Sequence, residues 1–179
     1  MLAYLFLLLA VAVRFLPHTF HFTPVGAALL FFGARRSRKE MWIPVLLLVG
    51  SDIALNLFVY HFPVALETFV STAWYATAVL IGGLMKNSTS DQKFNLPVVA
   101  GGALASSTSF FVISNLGVWA LSTMYPHTIA GLGTCFVMAI PFFRGTFASD
   151  MIYTLAIFAA PVAVEAVRRL TEPDGTAAA

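Results

Sequence analysis

Charged residues are what this sequence has least of. Only 10% of its 179 residues are charged and 59% are hydrophobic, whereas a soluble domain carries about 25% charged residues. Because so few charges cannot cover a water-facing surface, the composition predicts an integral membrane protein. The formal net charge is only +2, which provides no basic face for nucleic acid, so no nucleic-acid partner is expected.

Cysteine and catalytic motifs are equally scarce. The one cysteine, Cys135, cannot form an intrachain disulfide and is interpreted as a small buried hydrophobic residue. No HExxH, GxSxG, P-loop or CxxC motif occurs, which removes the common signatures of hydrolases, nucleotide-binding proteins and thiol oxidoreductases. His18 and His21 lack the i,i+4 spacing of helical metal ligands, so neither a metal site nor a cofactor is predicted. An enzyme is therefore not expected.

Apolar runs of membrane-spanning length make up most of the chain. A spanning helix needs about 20 apolar residues, with a range of about 17–25. Six segments approach this length, so we predict an all-α polytopic membrane protein with six transmembrane helices. They form a single domain, 1–170, followed by a disordered tail, 171–179. The segments are about 2–16, 25–34, 41–60, 65–85, 96–119 and 147–167.

Two stretches depart from this regular pattern. The second segment, 25–34, is short, and we expect it to borrow residues from the preceding loop or to pack against protein rather than lipid. A polar, aromatic interruption runs from Ser114 to Asp150, and its middle part, 129–140, is apolar but only about 12 residues long. Because that is too short to span comfortably, 129–140 is predicted to be a short extra helix in the outer loop between helices five and six.

Basic residues set the expected topology, since Lys and Arg favour cytoplasmic loops. With six spans, the basic clusters at 35–39, 86–93 and 168–169 fall on one side together with both termini. A seventh span at 129–140 would move the last cluster to the other side. The sequence therefore predicts a multi-pass protein with both termini in the cytoplasm.

Polar residues at membrane depth gather at one level of this topology. Asp52 and Asn56 are spaced i,i+4 and so share a helix face. The same spacing relates Asn115 to Trp119 and Asp150 to Thr154. An ionisable residue at membrane depth costs at least ~2.5–3.5 kcal/mol and needs a reason. We therefore predict an outward-facing cavity. Its predicted ligand-binding residues are Asp52, Asn56, Asn115, Trp119, Tyr125, Arg144 and Asp150.

Each residue type implies a role in such a cavity. Carboxylates and amides would hydrogen-bond polar groups of the ligand, and Trp119 and Tyr125 would stack on a ring. Arg144 would meet an anionic group or gate a loop. The loops at 17–24 and 125–144 would cover the cavity as a lid.

Local sequences along the chain resemble a bacterial family of small, uncharacterised membrane transport proteins. The match covers most of residues 14–158 and is most specific in the second half. It is carried by RFLPH at 14–18, FTPVGA at 22–27, SD at 51–52, SNLGVW at 114–119, MYPHTIAG at 124–131 and PFFR at 141–144, with Asp150 and Tyr153.

That family is similar to the substrate-binding S components of energy-coupling factor (ECF) vitamin transporters. The resemblance implies six helices in the bacterial inner membrane, a vitamin or related metabolite bound at the outer side, and either a solitary transporter or docking to a membrane scaffold subunit with ATPases. Small residues of helix one, Ala3, Ala10 and Ala12, are the candidates for that docking. The spacing of Asp150 from Gly145 departs from the biotin-specific members, and the chain lacks the Met-His start of nickel and cobalt S components, so a metal-ion substrate is not expected.

Two other functions stay open at this point. An intramembrane enzyme acting on a lipid or isoprenoid would use Asp52 and Asp150 as acid and base, and requires both carboxylates within reach of one substrate. A small structural subunit of a membrane complex would use Arg14 with Asp52 or Asp150 as an internal ion pair, and requires a large apolar face and no cavity. Uptake of a small ring-containing nutrient is the favoured expectation.

Overall fold

The computed structural model describes residues 1–16, 22–61, 67–89 and 93–171, and this part of the chain is all-α. A 3-10 turn, Arg38–Glu40, precedes the third helix and a π-helical turn, Asn56–Tyr60, follows it. The six α-helices are α1 (Leu2–Val13), α2 (Val25–Arg35), α3 (Trp42–Leu55), α4 (Glu67–Met85), α5 (Leu96–Leu121) and α6 (Ile129–Thr171).

Four of the described helices are long and apolar enough to cross a membrane, as a membrane protein requires. They are α4, α5, α6 and α3 taken together with its flanking turns. The other two, α1 and α2, have 12 and 11 residues, which at 1.5 Å per residue gives about 18 and 17 Å. A hydrocarbon core is about 30 Å thick, so the prediction of six helices is confirmed but that of six full spans is not.

The short helix α2 lies at the centre of the bundle. Every residue from Val25 to Ala34 is buried, and α2 contacts α1, α4, α5 and α6. The prediction that this segment packs against protein rather than lipid is confirmed. Ala3 and Ala10 of α1 are buried in the same core, with 3% and 0% of their surface exposed. The expectation that they form a face for a scaffold subunit is therefore wrong, and only Ala12 is exposed.

Glycines bring the backbones of α2 and α4 into direct contact. A Cβ atom on Gly82 of α4 would overlap the carbonyl oxygen of Leu30. A Cβ atom on Gly33 of α2 would overlap the carbonyl oxygen of Val79 in the same way. Close approach through small residues is the usual way in which helices associate in lipid, where apolar side chains gain little from leaving the solvent.

The predicted extra helix between α5 and α6 does not exist as a separate element. Residues 129–140 are the beginning of α6, a single helix of 43 residues that continues through Pro141. Phe111 of α5 contacts Phe136 and Phe143 of α6, one on each side of that proline, at 5.4 and 4.9 Å between ring centroids. Packing on α5 therefore supports the helix where proline removes a hydrogen bond, as is tolerated in membrane helices.

The helices alternate in direction, so the bundle has two distinct ends. At one end the Tyr4 hydroxyl donates to the Glu40 carboxylate at 2.5 Å, and Lys86 donates to the Arg36 carbonyl at 3.2 Å. The first residue of α1 and the last turn of α6 lie at this end, which we call the basic end. The opposite end, where α1, α3 and α5 finish and α2, α4 and α6 begin, is called the cavity end.

We expect Gly82→Ala to lower the thermal unfolding temperature, since its Cβ would force α2 and α4 apart. Strain of this kind costs about 1–3 kcal/mol. The matched control is Gly101→Ala on α5, where a Cβ meets no atom within 4 Å. Both changes gain the same helix propensity, up to about 1 kcal/mol. Equal unfolding temperatures for the two variants in detergent would contradict the close approach of α2 and α4.

Candidate functional site

A cavity of about 280 Å³ lies among the helices at the cavity end. All six helices or the turns that flank them contribute to its wall, because it lies beyond the N-terminus of the short central helix α2. Gly26 of α2 and Thr23, in the segment before it, line the side of the cavity that is nearest to the basic end. The lining residues are Arg14, Thr23, Val25, Gly26, Asp52, Leu55, Asn56, Tyr60, Trp74, Tyr75, Phe110, Thr146 and Asp150.

One side of the cavity is formed by a closed cluster around Asp52. Arg14, at the C-terminal cap of α1, donates to the carboxylate of Asp52 and to the hydroxyl of Ser51. The hydroxyl of Tyr75 lies 3.1 and 3.0 Å from the two oxygens of the same carboxylate and donates to it. The charge of Asp52 is therefore compensated by Arg14, and each of its two oxygens has a protein donor within reach.

Asp150 is held differently, although it lines the same cavity. Only 4% of its surface is exposed, and the hydroxyl of Ser107 donates to one carboxylate oxygen at 2.7 Å. The other oxygen lies against Gly26, where an added Cβ would be 2.5 Å away. Among the described residues no Lys, Arg or His forms an ion pair with Asp150.

Aromatic residues of α4 and α5 form a wall of the cavity that these two carboxylates line. The ring centroid of Trp74 lies 5.4 Å from that of Tyr75 and 4.9 Å from that of Phe110. The indole nitrogen of Trp74 donates to the carbonyl of Ser106 at 3.3 Å, which orients the ring. The wall is therefore preorganised and has its polar indole group satisfied by protein.

A second cavity of about 290 Å³ adjoins the first and is more apolar. Phe110 and Thr146 line both cavities and form the partition between them. The remaining lining residues of the second cavity are Phe111, Ser114, Asn115, Ala139, Phe142 and Phe143.

The structure places the sequence-predicted residues in three locations. Asp52, Asn56 and Asp150 come together in the first cavity. Asn115 lines the second cavity, where its side-chain amide donates to the carbonyl of Phe111 at 2.7 Å. Residues of α3 and α6 that the sequence placed at the same depth thus line one cavity.

The other three predicted residues line neither cavity. Trp119 donates to the carbonyl of Pro126 at 3.0 Å and packs against His127, so it fastens the turn between α5 and α6. Tyr125 lies in that same turn, and Arg144 is exposed on α6. The predicted lid at 125–144 is for the most part helix, because only residues 122–128 connect α5 to α6. Most of the other predicted lid, 17–24, lies outside the described residues.

Sequence reasoning did not select Trp74, Tyr75, Phe110, Thr146 or Gly26. Thr146 is four residues before Asp150 and could have been found by the i,i+4 spacing. The aromatic residues and the glycine belong to apolar helices and carry no local signal of a site. Within the described ranges, no three His, Cys, Asp or Glu side chains converge as metal ligands would.

The chain belongs to the family DUF6580, a family of unknown function whose model matches residues 1–172. Comparison with curated proteins found no match. Comparison with solved structures found none either. The likeness to ECF S components therefore rests on the local sequences described above.

We expect Arg14→Met to destabilise the protein, because it leaves Asp52 without its cation. Breaking a buried pair from one side costs up to about 3–5 kcal/mol, and the two side chains are only 16% and 12% exposed. The matched control is Arg169→Met, which breaks the exposed i,i+4 pair with Glu165 and should cost at most about 0.5 kcal/mol.

Thermal unfolding of the purified variants measures this difference. The double variant Arg14→Met/Asp52→Asn should recover part of the loss, since no uncompensated charge remains. A double variant no more stable than Arg14→Met alone would show that Asp52 does not depend on Arg14.

Proposed function

For this member of DUF6580 we propose membrane transport: an S-component-like protein of the bacterial inner membrane that binds a small ring-containing nutrient, a vitamin or related metabolite, for uptake. The observation that carries the proposal is the first cavity, in which Asp52, Asn56 and Asp150 converge with an aromatic wall at one end of the bundle. Concave, largely apolar sites with a few polar groups are typical of small-molecule binding.

The distribution of charge supports an outward-facing cavity. Of the ten Lys and Arg residues of the chain, only Arg14 and Arg144 lie away from the basic end. Because Lys and Arg favour the cytoplasmic side, the basic end and both ends of the chain would face the cytoplasm. The cavity end would then face outward, where a nutrient arrives.

The size and wall of the cavity support a compact ligand with a ring. Its volume of about 280 Å³ is near the lower bound of small-molecule sites, which extend from about 300 to 1,000 Å³. Trp74, Tyr75 and Phe110 offer ring faces and edges that suit another ring. Uptake would then proceed by capture from outside and release inside, either alone or with an energising module that docks on a surface other than Ala3 and Ala10.

The two alternatives receive less support from the same geometry. Asp52 and Asp150 line one cavity, as an enzyme using both would need, but the carboxylate of Asp52 is already bonded to Arg14 and Tyr75. A purely structural subunit would have no reason to keep an open cavity around buried polar residues, each of which is costly at membrane depth.

A ligand screen by thermal unfolding tests the proposal. Purified protein is mixed with thiamine, pyridoxine, nicotinamide, biotin or riboflavin. A ligand present at 100 times its dissociation constant stabilises the folded state by about 2.7 kcal/mol, which is readily seen. We expect at least one compound of this class to raise the unfolding temperature.

Two variants locate the bound compound. Asn56→Ala removes an amide from the first cavity, and Asn115→Ala is the matched change in the second. We expect Asn56→Ala to weaken binding about tenfold, as loss of one hydrogen bond worth about 1.4 kcal/mol would, and Asn115→Ala to have a smaller effect. Stabilisation by none of the compounds, or binding indifferent to both variants, would overturn the proposal.

A further inference from the structure

We propose that the ligand of the first cavity is an organic cation whose charged group pairs with Asp150. This inference rests on the proposed function and narrows it from a ring-containing nutrient to one that carries an ammonium, pyridinium or amidinium group. It follows from the charges of the cavity wall, from the surroundings of Asp150 and from the neighbouring aromatic rings.

The charges that line the cavity do not cancel. Among the described lining residues, the charged ones are Arg14, Asp52 and Asp150. Arg14 and Asp52 pair with each other, which leaves one negative charge, on Asp150. A cationic ligand would neutralise the described wall, whereas an anionic ligand would double the unbalanced charge.

Asp150 has a single side-chain donor among the residues that the structure describes. Ser107 supplies one neutral hydroxyl at 2.7 Å. The contact with Gly26, the second residue of α2, places the carboxylate at the N-terminus of that helix, which offers a partial positive charge of roughly half a unit. Neither neighbour carries a full positive charge, so a cationic group of a ligand would supply the counter-charge.

Aromatic rings around the cavity favour the same class of ligand. A cation is attracted to the face of Trp, Tyr or Phe when it lies within about 6 Å of the ring centroid. Trp74, Tyr75 and Phe110 line the cavity together with Asp150, so a cation held by the carboxylate lies in an aromatic-walled space. The apolar body of the ligand would lie against Phe110, which also lines the second cavity.

Matched ligands that differ in charge test the inference with the full chain in detergent. The pairs are benzylammonium with benzyl alcohol and 1-methylnicotinamide with nicotinamide, and benzoate serves as the anion. Isothermal titration calorimetry measures their dissociation constants. We expect at least one cation to bind tenfold or more tightly than its neutral partner, and benzoate to bind more weakly than either.

Two variants, each with a matched control, test whether Asp150 causes this preference. Asp150→Asn should abolish it, while Glu165→Gln, the same chemical change on the exposed part of α6, should retain it. Gly26→Ala keeps the charge of Asp150 but displaces its carboxylate, so it should weaken cation binding. Its control, Gly101→Ala, places the new Cβ where no atom lies within 4 Å, so it should leave cation binding unchanged. Thermal unfolding of each ligand-free variant shows whether it is folded.

The outcomes separate this inference from the proposed function. Neutral compounds that bind as tightly as their cationic partners, or a cation preference that survives in folded Asp150→Asn, would overturn the cationic ligand while leaving nutrient binding intact. Failure of every compound in this assay and in the vitamin screen would overturn both. If Asp150→Asn does not fold, Gly26→Ala decides, since unchanged cation affinity in that variant would contradict the role of Asp150.

Discussion

The packing of α2 inside the bundle is the constraint on which the rest of the structure depends. This helix has 11 residues and is buried from Val25 to Ala34, and its backbone touches that of α4 through Gly33 and Gly82. A helix of about 17 Å cannot fill the centre of a bundle whose outer helices are longer. The cavity occupies the space that α2 leaves at its N-terminal end, so the length of α2 sets the depth of the site.

The same constraint explains why two similar carboxylates have different surroundings. Asp52 comes from α3, which lies beside the end of α1, and there Arg14 reaches it directly. Asp150 comes from α6 and approaches the first turn of α2, where Gly26 leaves room for its carboxylate. Among the described residues its donor is the neutral hydroxyl of Ser107 and not a cation. One carboxylate is thus bound in an ion pair, and the other is bonded to a neutral hydroxyl.

Much of the architecture could be predicted from the sequence because the length of an apolar run is a local signal. The predicted boundaries of α2, α4 and α5 lie within a few residues of those observed. The burial of 25–34 was expected because this segment is too short to span a membrane. The continuity of α6 could not be predicted, since Pro141, Arg144 and Gly145 together are typical of a loop. Contact of Phe136 and Phe143 with Phe111 on another helix overrides that local signal.

The sequence predicted the part of the candidate site that follows from the depth of each residue along its helix. Depth and i,i+4 spacing joined Asp52, Asn56 and Asp150, which the structure brings to one cavity. Depth does not tell which way a helix is rotated, so Asn115, although near the right level, lines the neighbouring cavity.

The roles of aromatic residues were more difficult to predict from the sequence. Trp119 closes the turn at Pro126 through its indole nitrogen. In the sequence, a tryptophan that closes a turn cannot be distinguished from one that stacks on a ligand ring. Conversely, Trp74 lies in a helix that is apolar enough to span a membrane, and no motif of the sequence marks it as part of a site. Its role as a wall emerges only from the crossing of α4 and α5 beside Phe110. Residues that a ligand would touch are therefore set by helix rotation and crossing, which the one-dimensional pattern of a membrane protein leaves undetermined.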